Sequence, residues 1–345
     1  MRLVTRVVTA AAIVLLAAAG AQAQQPLTKV TVALGGDGLQ FTLHHLALGG
    51  GFFKEEGLQV EAVDVGSGPR QAAALMGGSS EFTSLGFIHV LKSISEGGNL
   101  VAIAPSLNLL DIQLVLGEDA LKKTGITMAM PLDEKVKKLK SLKIAITTPG
   151  STTDTWLRSL LKVRGLDPDK DVTIQPVAGG TPMLAALSKK ATEGFVWGAP
   201  QTHQAVQQGV GTIVVDPFAD AIPEIAGVPY TVIITSRDTL KKKPEVLRAA
   251  VRGLTKAMKF AQEKPDAARA ILRKDFPEIE DAILDKAWAD YRKAIPRTPV
   301  ITAEQVAKTQ AWLNLTQPKP IELSYETAFY PDFAKQAEAE ILGKK

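Results

Sequence analysis

The segment Gly150-Ser151-Thr152-Thr153-Asp154 places a glycine, three hydroxyls and a carboxylate between an apolar run at 142–146 and an amphipathic stretch at 153–163. It reads as a strand-to-helix turn. The first N–H groups of a helix have no partner within it and sit at the positive end of its dipole, roughly +0.5 charge. Gly150, Ser151, Thr152 and Thr153 therefore present backbone and hydroxyl donors suited to a small polar or anionic ligand. The same residues also suit an ordinary helix cap, with Asp154 as the acidic complement to the dipole. The segment alone leaves both roles open.

Other chemistry is thinly provided. The chain has no cysteine, which removes thiolate metal ligands, disulfide scaffolds and thiol nucleophiles. Of its four histidines, the adjacent His44 and His45 point about 100° apart on a helix, and no pair has the i, i+4 spacing of a helical zinc motif. No metal and no cofactor is expected. No Gly-x-Ser-x-Gly elbow occurs, and no Ser-His-Asp set can be assembled around His44, His45, His89 or His203. The expected activity is binding without catalysis, and His45, close to the first turn, is a candidate ligand donor. The cluster Tyr325, Phe329, Tyr330 and Phe333 reads as a docking seam for the C-terminal segment. Lys241, Lys242 and Lys243 read as a solvated loop that also offers a contact to a membrane partner.

The elements that position these residues repeat. A shift of 112 residues brings the segment 60–68, Val-Glu-Ala-Val-Asp-Val-Gly-Ser-Gly, onto 172–180, Val-Thr-Ile-Gln-Pro-Val-Ala-Gly-Gly. It also brings Ala73-Ala74-Leu75 onto Ala185-Ala186-Leu187, Glu81 onto Glu193, and Val32-Ala33-Leu34 onto Ile144-Ala145-Ile146. Each copy reads strand, turn, helix, strand, Gly-bearing turn, helix, strand, so two similar α/β lobes are expected. Further strands are expected at 101–105, 112–117, 212–215 and 230–235. The turn after Leu34 should then do what the turn after Thr147 does. Beyond residue 235 the pattern becomes helical, at 244–263, 265–274, 279–294 and 303–314, with Leu247, Ala250, Val251, Leu254 and Met258 spaced for one buried face. These helices are expected to pack back on the first lobe. The chain would cross between lobes near Gly117 and near Tyr230, leaving a hinged cleft.

The N-terminus carries its own signal. Arg2 and Arg6 precede an apolar run at 7–19, and Ala21-Gln22-Ala23 offers the small residues that signal peptidase reads. The run is shorter than the roughly 20 residues needed to span a bilayer, so cleavage after Ala23 is expected rather than retention as an anchor. Removing residues 1–23 leaves 322 of the 345 residues, long enough for two lobes, and lowers 40 basic residues to 38 against 36 acidic ones, a net charge of +2. Nothing in that balance favours nucleic acid.

Taken together, Gly51-Phe52-Phe53-Lys54-Glu55-Glu56-Gly57-Leu58-Gln59-Val60-Glu61, Gly66-Ser67-Gly68, Gly150-Ser151-Thr152-Thr153-Asp154 and Lys264-Pro265-Asp266-Ala267-Ala268 resemble the nitrate, sulfonate and taurine type of periplasmic solute-binding proteins. The resemblance runs in order over nearly the whole chain after residue 23. It implies two doubly wound α/β lobes joined by two crossover strands, with the ligand cleft between them, as in type II periplasmic binding proteins. It also implies a monomer that captures a small solute by hinge closure and docks transiently on an ABC permease, with no stable membrane insertion after signal cleavage. The lobes would be residues 24–117 with 228–345, and residues 118–227. Carried over position by position, it places Leu39, Gln40 and Thr42 at the cleft, then Gly66, Ser67 and Gly68, then Ser84, Leu85 and Gly86. From the second lobe it adds Ser151, Thr152, Thr153, Asp154, Trp197 and Pro200, with Tyr230 at the return crossing.

Apolar neighbours such as Leu85 and Trp197 point to an organic solute, a sulfonate, carboxylate or heteroaromatic compound, rather than a bare inorganic anion. Asp154 would favour an amine, hydroxyl or ring N–H on it. Arg70, beside Pro69, either faces the cleft or is solvated. Two rivals share the fold expectation: a sensor module serving a membrane receptor, and a pyrimidine-precursor synthase-like enzyme, which the lack of cysteine disfavours.

Overall fold

Alternating burial along Thr28–Leu34 makes it a strand, β1, which pairs in parallel with β2, Leu58–Asp64. The structure, a computed structural model, describes residues 26–36 and 38–343, so the expected signal sequence lies outside the described residues. β3 (Thr83–Gly86) and β4 (Leu100–Pro105) flank a later strand, and β5 is Gln113–Gly117. Then follow β6 (Lys143–Ile146), β7 (Thr173–Pro176), β8 (Gly194–Trp197), β9 (Gly211–Val215) and β10 (Thr231–Ser236). β10 lies between β3 and β4, antiparallel to both. The first lobe thus carries two small sheets, β1-β2 and β3-β10-β4, and the second lobe's sheet, hereafter the second sheet, has the order β7-β6-β8-β5-β9.

The 112-residue repeat reappears as register. Val32 sits opposite Ala62 in the first pair, and their counterparts Ile144 and Ile174 sit opposite each other in the second. One placement differs from expectation. β5 follows the first lobe's strands in sequence yet pairs antiparallel with β8 and β9, so the chain reaches the second sheet before Gln113, not after Gly117. Strand identity is a local signal, but the sheet a strand joins is decided by distant partners.

The helices that bear on the cleft are α1 (Thr42–Gly49), α2 (Gly68–Met76), α3 (Ile88–Ser95), α4 (Thr152–Val163), α5 (Gly180–Ser188) and α6 (Gln201–Gln207). A C-terminal series follows: α7 (Pro244–Glu263), α8 (Pro265–Asp275), α9 (Asp281–Ala294) and α10 (Ala303–Asn314). The face predicted for α7 is the buried one, with Leu247, Ala250, Val251, Leu254 and Met258 packed away from water against α1. The seam also forms: Phe329 is fully buried, and Tyr330 N–H donates to Ala102 O of β4 at 2.9 Å. The layer does more than cover the first lobe. α10 also packs on α4 of the second sheet, where Trp312 Nε1 donates to Ser159 Oγ at 2.9 Å.

Trp312 is 1% exposed, so Trp312→Ala should lower stability by about 3–5 kcal/mol through the cavity it leaves. Ser159→Ala should lower it by only about 1 kcal/mol. Urea unfolding of both variants checks the ratio; equal losses would show that packing at this junction is not what holds α10 down.

Candidate functional site

β1, β3, β6 and β8 all run toward one small interlobe cavity, the edge at which open α/β sheets bind ligands. Gly35, Gln40 and Phe41 line it after β1, Gly68 and Gln71 at the start of α2, and Leu85 and Gly86 at the end of β3. The facing wall is Thr147, Ser151, Thr152, Thr153 and Trp197, and Tyr230 and Thr231 close it where β10 begins. It offers only about 30 Å³ to the centres of water-sized molecules, room for roughly two or three of them at about 10–15 Å³ each.

The lobes are drawn together across it. Leu39 N–H donates to Ala199 O at 2.9 Å, and Lys92 of α3 donates to Gly150 O at 2.9 Å and Thr155 Oγ1 at 3.3 Å. Two close approaches depend on glycine. A side chain at Gly86 would overlap the Thr152 hydroxyl, and one at Gly35 would overlap Gln71 Oε1.

In the turn that opens α4, Ser151 is a working cap: its Oγ accepts from Asp154 N–H at 3.2 Å. Thr153 Oγ1 bonds Thr147 N–H at 3.0 Å and Ser151 Oγ at 2.9 Å. The turn is thus rigid, and the Thr152 and Thr153 N–H groups at its tip belong to the cavity wall. Trp197 lies over Gly36, and its Nε1 is held by Gln201 Oε1 at 3.1 Å.

Of the residues expected at the cleft, Gln40, Gly68, Leu85, Gly86, Ser151, Thr152, Thr153, Trp197 and Tyr230 are brought together on this wall. Others lie beside it. Leu39 forms the interlobe bond at the rim, while Thr42 Oγ1 turns back to Leu39 O at 2.5 Å. Gly66 sits at the mouth opposite Ala178, Ser67 is buried behind the wall, and Pro200 begins α6. The Ser84 hydroxyl is spent on His44 Nδ1 at 3.0 Å and Ser106 Oγ at 2.9 Å.

Two expectations need correction, and Arg70, left open between cleft and solvent, falls on the solvent side. Asp154 does not face the cavity: it accepts from Gly150 N–H at 2.7 Å and pairs with Arg158 Nε at 2.7 Å, the i+4 neighbour on α4. Its supposed preference for an amine therefore falls away. His45 bonds Asp275 at 2.9 Å and stacks on Phe276, on the far side of α1. Arg70 is solvated and reaches only Val65 O at 3.5 Å.

Sequence reasoning missed Gln71, one residue past Arg70. Its signal was a lone amide at the head of the run Ala72-Ala73-Ala74-Leu75, about 100° around the helix from Arg70. It also missed Gly35, Phe41, Thr147, Thr231 and His89, whose ring abuts Gly68 and Gly86. Burial, with Lys92 nearby, pushes the His89 imidazole down to about 3, so it is neutral. Burial likewise raises the Tyr230 phenol well above its ordinary value. No ionised side chain stands on the wall among the described residues.

Behind the wall, Asp111 lies in the segment that crosses between the sheets and is 1% exposed. The Tyr291 hydroxyl of α9 donates to Asp111 Oδ2 and accepts from Ala199 N–H at 3.1 Å. Burial pushes the Asp111 carboxyl up to about 7, against the opposing effect of the Tyr291 hydrogen bond and with help from Asp216.

A profile of the NMT1-like family matches residues 23–273. The nitrate/nitrite binding protein NrtA of Nostoc sp. (strain PCC 7120) is 26% identical over 185 residues, 54% of this chain and 34% of that protein, so the match spans about a third of its length. A solved structure from Bordetella bronchiseptica RB50 superposes with a TM-score of 0.78 at 22% identity, covering 90% of this chain and 97% of that one. The periplasmic aliphatic sulphonate binding protein SsuA from Escherichia coli superposes with a TM-score of 0.63 at 17% identity, covering 86% and 95%. The fold is that of the periplasmic binding proteins.

The raised Asp111 carboxyl has a signed consequence. The folded state keeps the proton that the unfolded chain gives up near pH 4, so this group's contribution to stability is present below that pH and is lost as pH rises to about 7. Asp111→Asn should flatten that fall. Urea midpoints at pH 5 and pH 8 check it: the wild type should lose more stability between them than the variant, and parallel losses would refute the assignment.

Proposed function

The chain belongs to the NMT1-like family, and from that premise we propose that it is the extracytoplasmic solute-binding component of an ABC import system. It captures a small organic solute between its lobes, closes over it by hinge motion, and presents the closed form to a membrane permease. The observation that carries this reading is the cavity itself, walled by both lobes at the carboxyl ends of their strands. No carboxylate or imidazole is hydrogen-bonded to a wall hydroxyl among the described residues, so nothing there activates a nucleophile. The relatives, nitrate-, nitrite- and sulphonate-binding proteins by name, agree with capture of a small polar molecule.

Closure follows from differential contact. Leu39 to Ala199 and Lys92 to Gly150 are bonds between lobes that opening would break, the first worth about 0.5–1.5 kcal/mol net and the second, from a charged donor, about 1.5–3 kcal/mol. A solute that bonds both walls shifts the balance of open and closed forms by its extra affinity for the closed form. Secretion by residues 1–23 would deliver the protein to the periplasm. Among the described residues, no helix is long and apolar enough to cross a membrane.

A thermal-shift screen of sulfonates, short carboxylates, heteroaromatic compounds, small amides and nitrate tests the reading. A true solute at a hundredfold excess over Kd should stabilise the protein by about 2.7 kcal/mol, and deletion of the gene should abolish its uptake. Failure of every compound to stabilise, or unchanged uptake of the stabiliser, would sink it. Thr152→Val should weaken the hit about five- to tenfold with little change in unliganded stability. Ser151→Ala should lower stability by about 1 kcal/mol whether or not solute is present, because it removes a cap.

A further inference from the structure

Gln71 is 2% exposed, and its amide is held by one end. The two hydrogens of Nε2 are shared among three acceptors, Ala33 O at 3.0 Å, Ser84 O at 2.8 Å and Thr83 Oγ1 at 2.8 Å. Two of these partners are backbone carbonyls, which only accept, and the Thr83 hydroxyl already gives its hydrogen to Ala33 O. Turning the amide over would set Oε1 against three oxygens, so the network fixes its orientation. The other end, Oε1, therefore lies beside Gly35 on the cavity wall as an acceptor with no hydrogen to give. Gln40, 4% exposed, adds a second amide to the lining, one that no hydrogen bond among the described residues holds in a single orientation.

Across the cavity the chemistry is reversed. The Asp154 N–H of α4 is taken by Ser151, which leaves the Thr152 and Thr153 N–H groups and the Thr152 hydroxyl at the wall as donors. The nearby charges are committed elsewhere: Lys92 to Gly150 and Thr155, Asp154 to Arg158, and Arg70 to the solvated mouth. A wall with donors on one side, the fixed Gln71 acceptor on the other and no charged side chain suits a ligand with the complementary pair of groups and no net charge.

We propose that this cavity selects a small uncharged solute in which an N–H group adjoins a carbonyl oxygen, an amide or urea rather than a nitrate or sulfonate, and that Gln71 is the residue that reads the N–H. The proposal rests on the solute-binding reading above and narrows it. An oxyanion would bring its own lone pairs against Gln71 Oε1, and a sulfonate would add a full charge that the roughly +0.5 of the α4 N-terminus offsets only in part. The carbonyl oxygen of an amide would take the α4 donors while its N–H meets Gln71.

The test is to titrate the wild-type protein with acetamide, urea, nitrate and methanesulfonate by calorimetry, alongside the thermal-shift screen. Acetamide or urea should bind at least tenfold more tightly than either anion, and every stabiliser in the screen should carry an N–H. Gln71→Leu should erase that preference; the wild-type comparison decides the matter even if this variant folds poorly. Equal or tighter binding of nitrate or methanesulfonate, or stabilisers that lack an N–H, would overturn the role of Gln71 while leaving a solute-binding protein. Silence from every compound would overturn both readings together.

Discussion

Two strands sit in the sheet opposite to the one they follow in sequence, and the rest of the architecture depends on that exchange. β5 follows β4 but pairs between β8 and β9; β10 follows β9 but pairs between β3 and β4. The chain must therefore cross between lobes twice, the first crossing running behind the cavity and the second ending on its wall. Asp111 lies on the first, Tyr230 and Thr231 at the end of the second. Ala199 ties the crossings to the rim: its N–H is held by the Tyr291 hydroxyl, itself bonded to Asp111, and its carbonyl takes Leu39 N–H from the facing lobe. One residue thus belongs to the hinge through its N–H and to the closed rim through its carbonyl. Lobe opening has to break the second bond and can leave the first intact.

The same geometry explains why the cavity is polar without being charged. A carboxylate or ammonium buried there without a partner would be expensive, several kcal/mol after relaxation. Each ionisable group nearby escapes that cost in its own way. Asp154 finds Arg158, Lys92 reaches backbone and hydroxyl oxygens of the facing lobe, His89 stays neutral, and Asp111 is held toward its protonated form. What remains at the wall are amides, hydroxyls and the first N–H groups of a helix, groups that discriminate by direction rather than by charge.

Much of this was legible in the residues because the signals involved are local. The repeat survives as matched register, Val32 with Ala62 and Ile144 with Ile174, since alternation and glycine-bearing turns specify strands over a few residues. The hydroxyl turn at 150–154 was readable as a cap and as a wall segment, and it is both. What failed was decided at a distance. β5 took its sheet from β8 and β9, which come 77 or more residues later; His45 took its partner from Asp275, 230 residues away. Asp154 failed differently: its partner Arg158 was only one turn along, but helical spacing does not say whether a carboxylate faces that neighbour or a ligand. Gln71 was passed over for Arg70, although a glutamine heading an alanine run is the side chain with a reason to turn inward.

The orientation of Gln71 also shows why likeness of fold says little about the solute. The sheets and the C-terminal helices are held by apolar contacts that tolerate many wall residues, so proteins of one fold can carry different sites. Here, however, the acceptor at the wall is aimed by the fold itself. Ala33 belongs to β1, Thr83 and Ser84 to β3, and their oxygens are where they are because those strands end at the cleft. A glutamine at this position has no freedom to present its nitrogen instead. Exchanging it for a cationic side chain would set a charge in a socket of three oxygens, pointing away from the solute. Changing the direction of this wall acceptor would therefore require rebuilding the ends of β1 and β3 as well as the wall residue, which couples the polarity of the wall to the framework that forms the cavity.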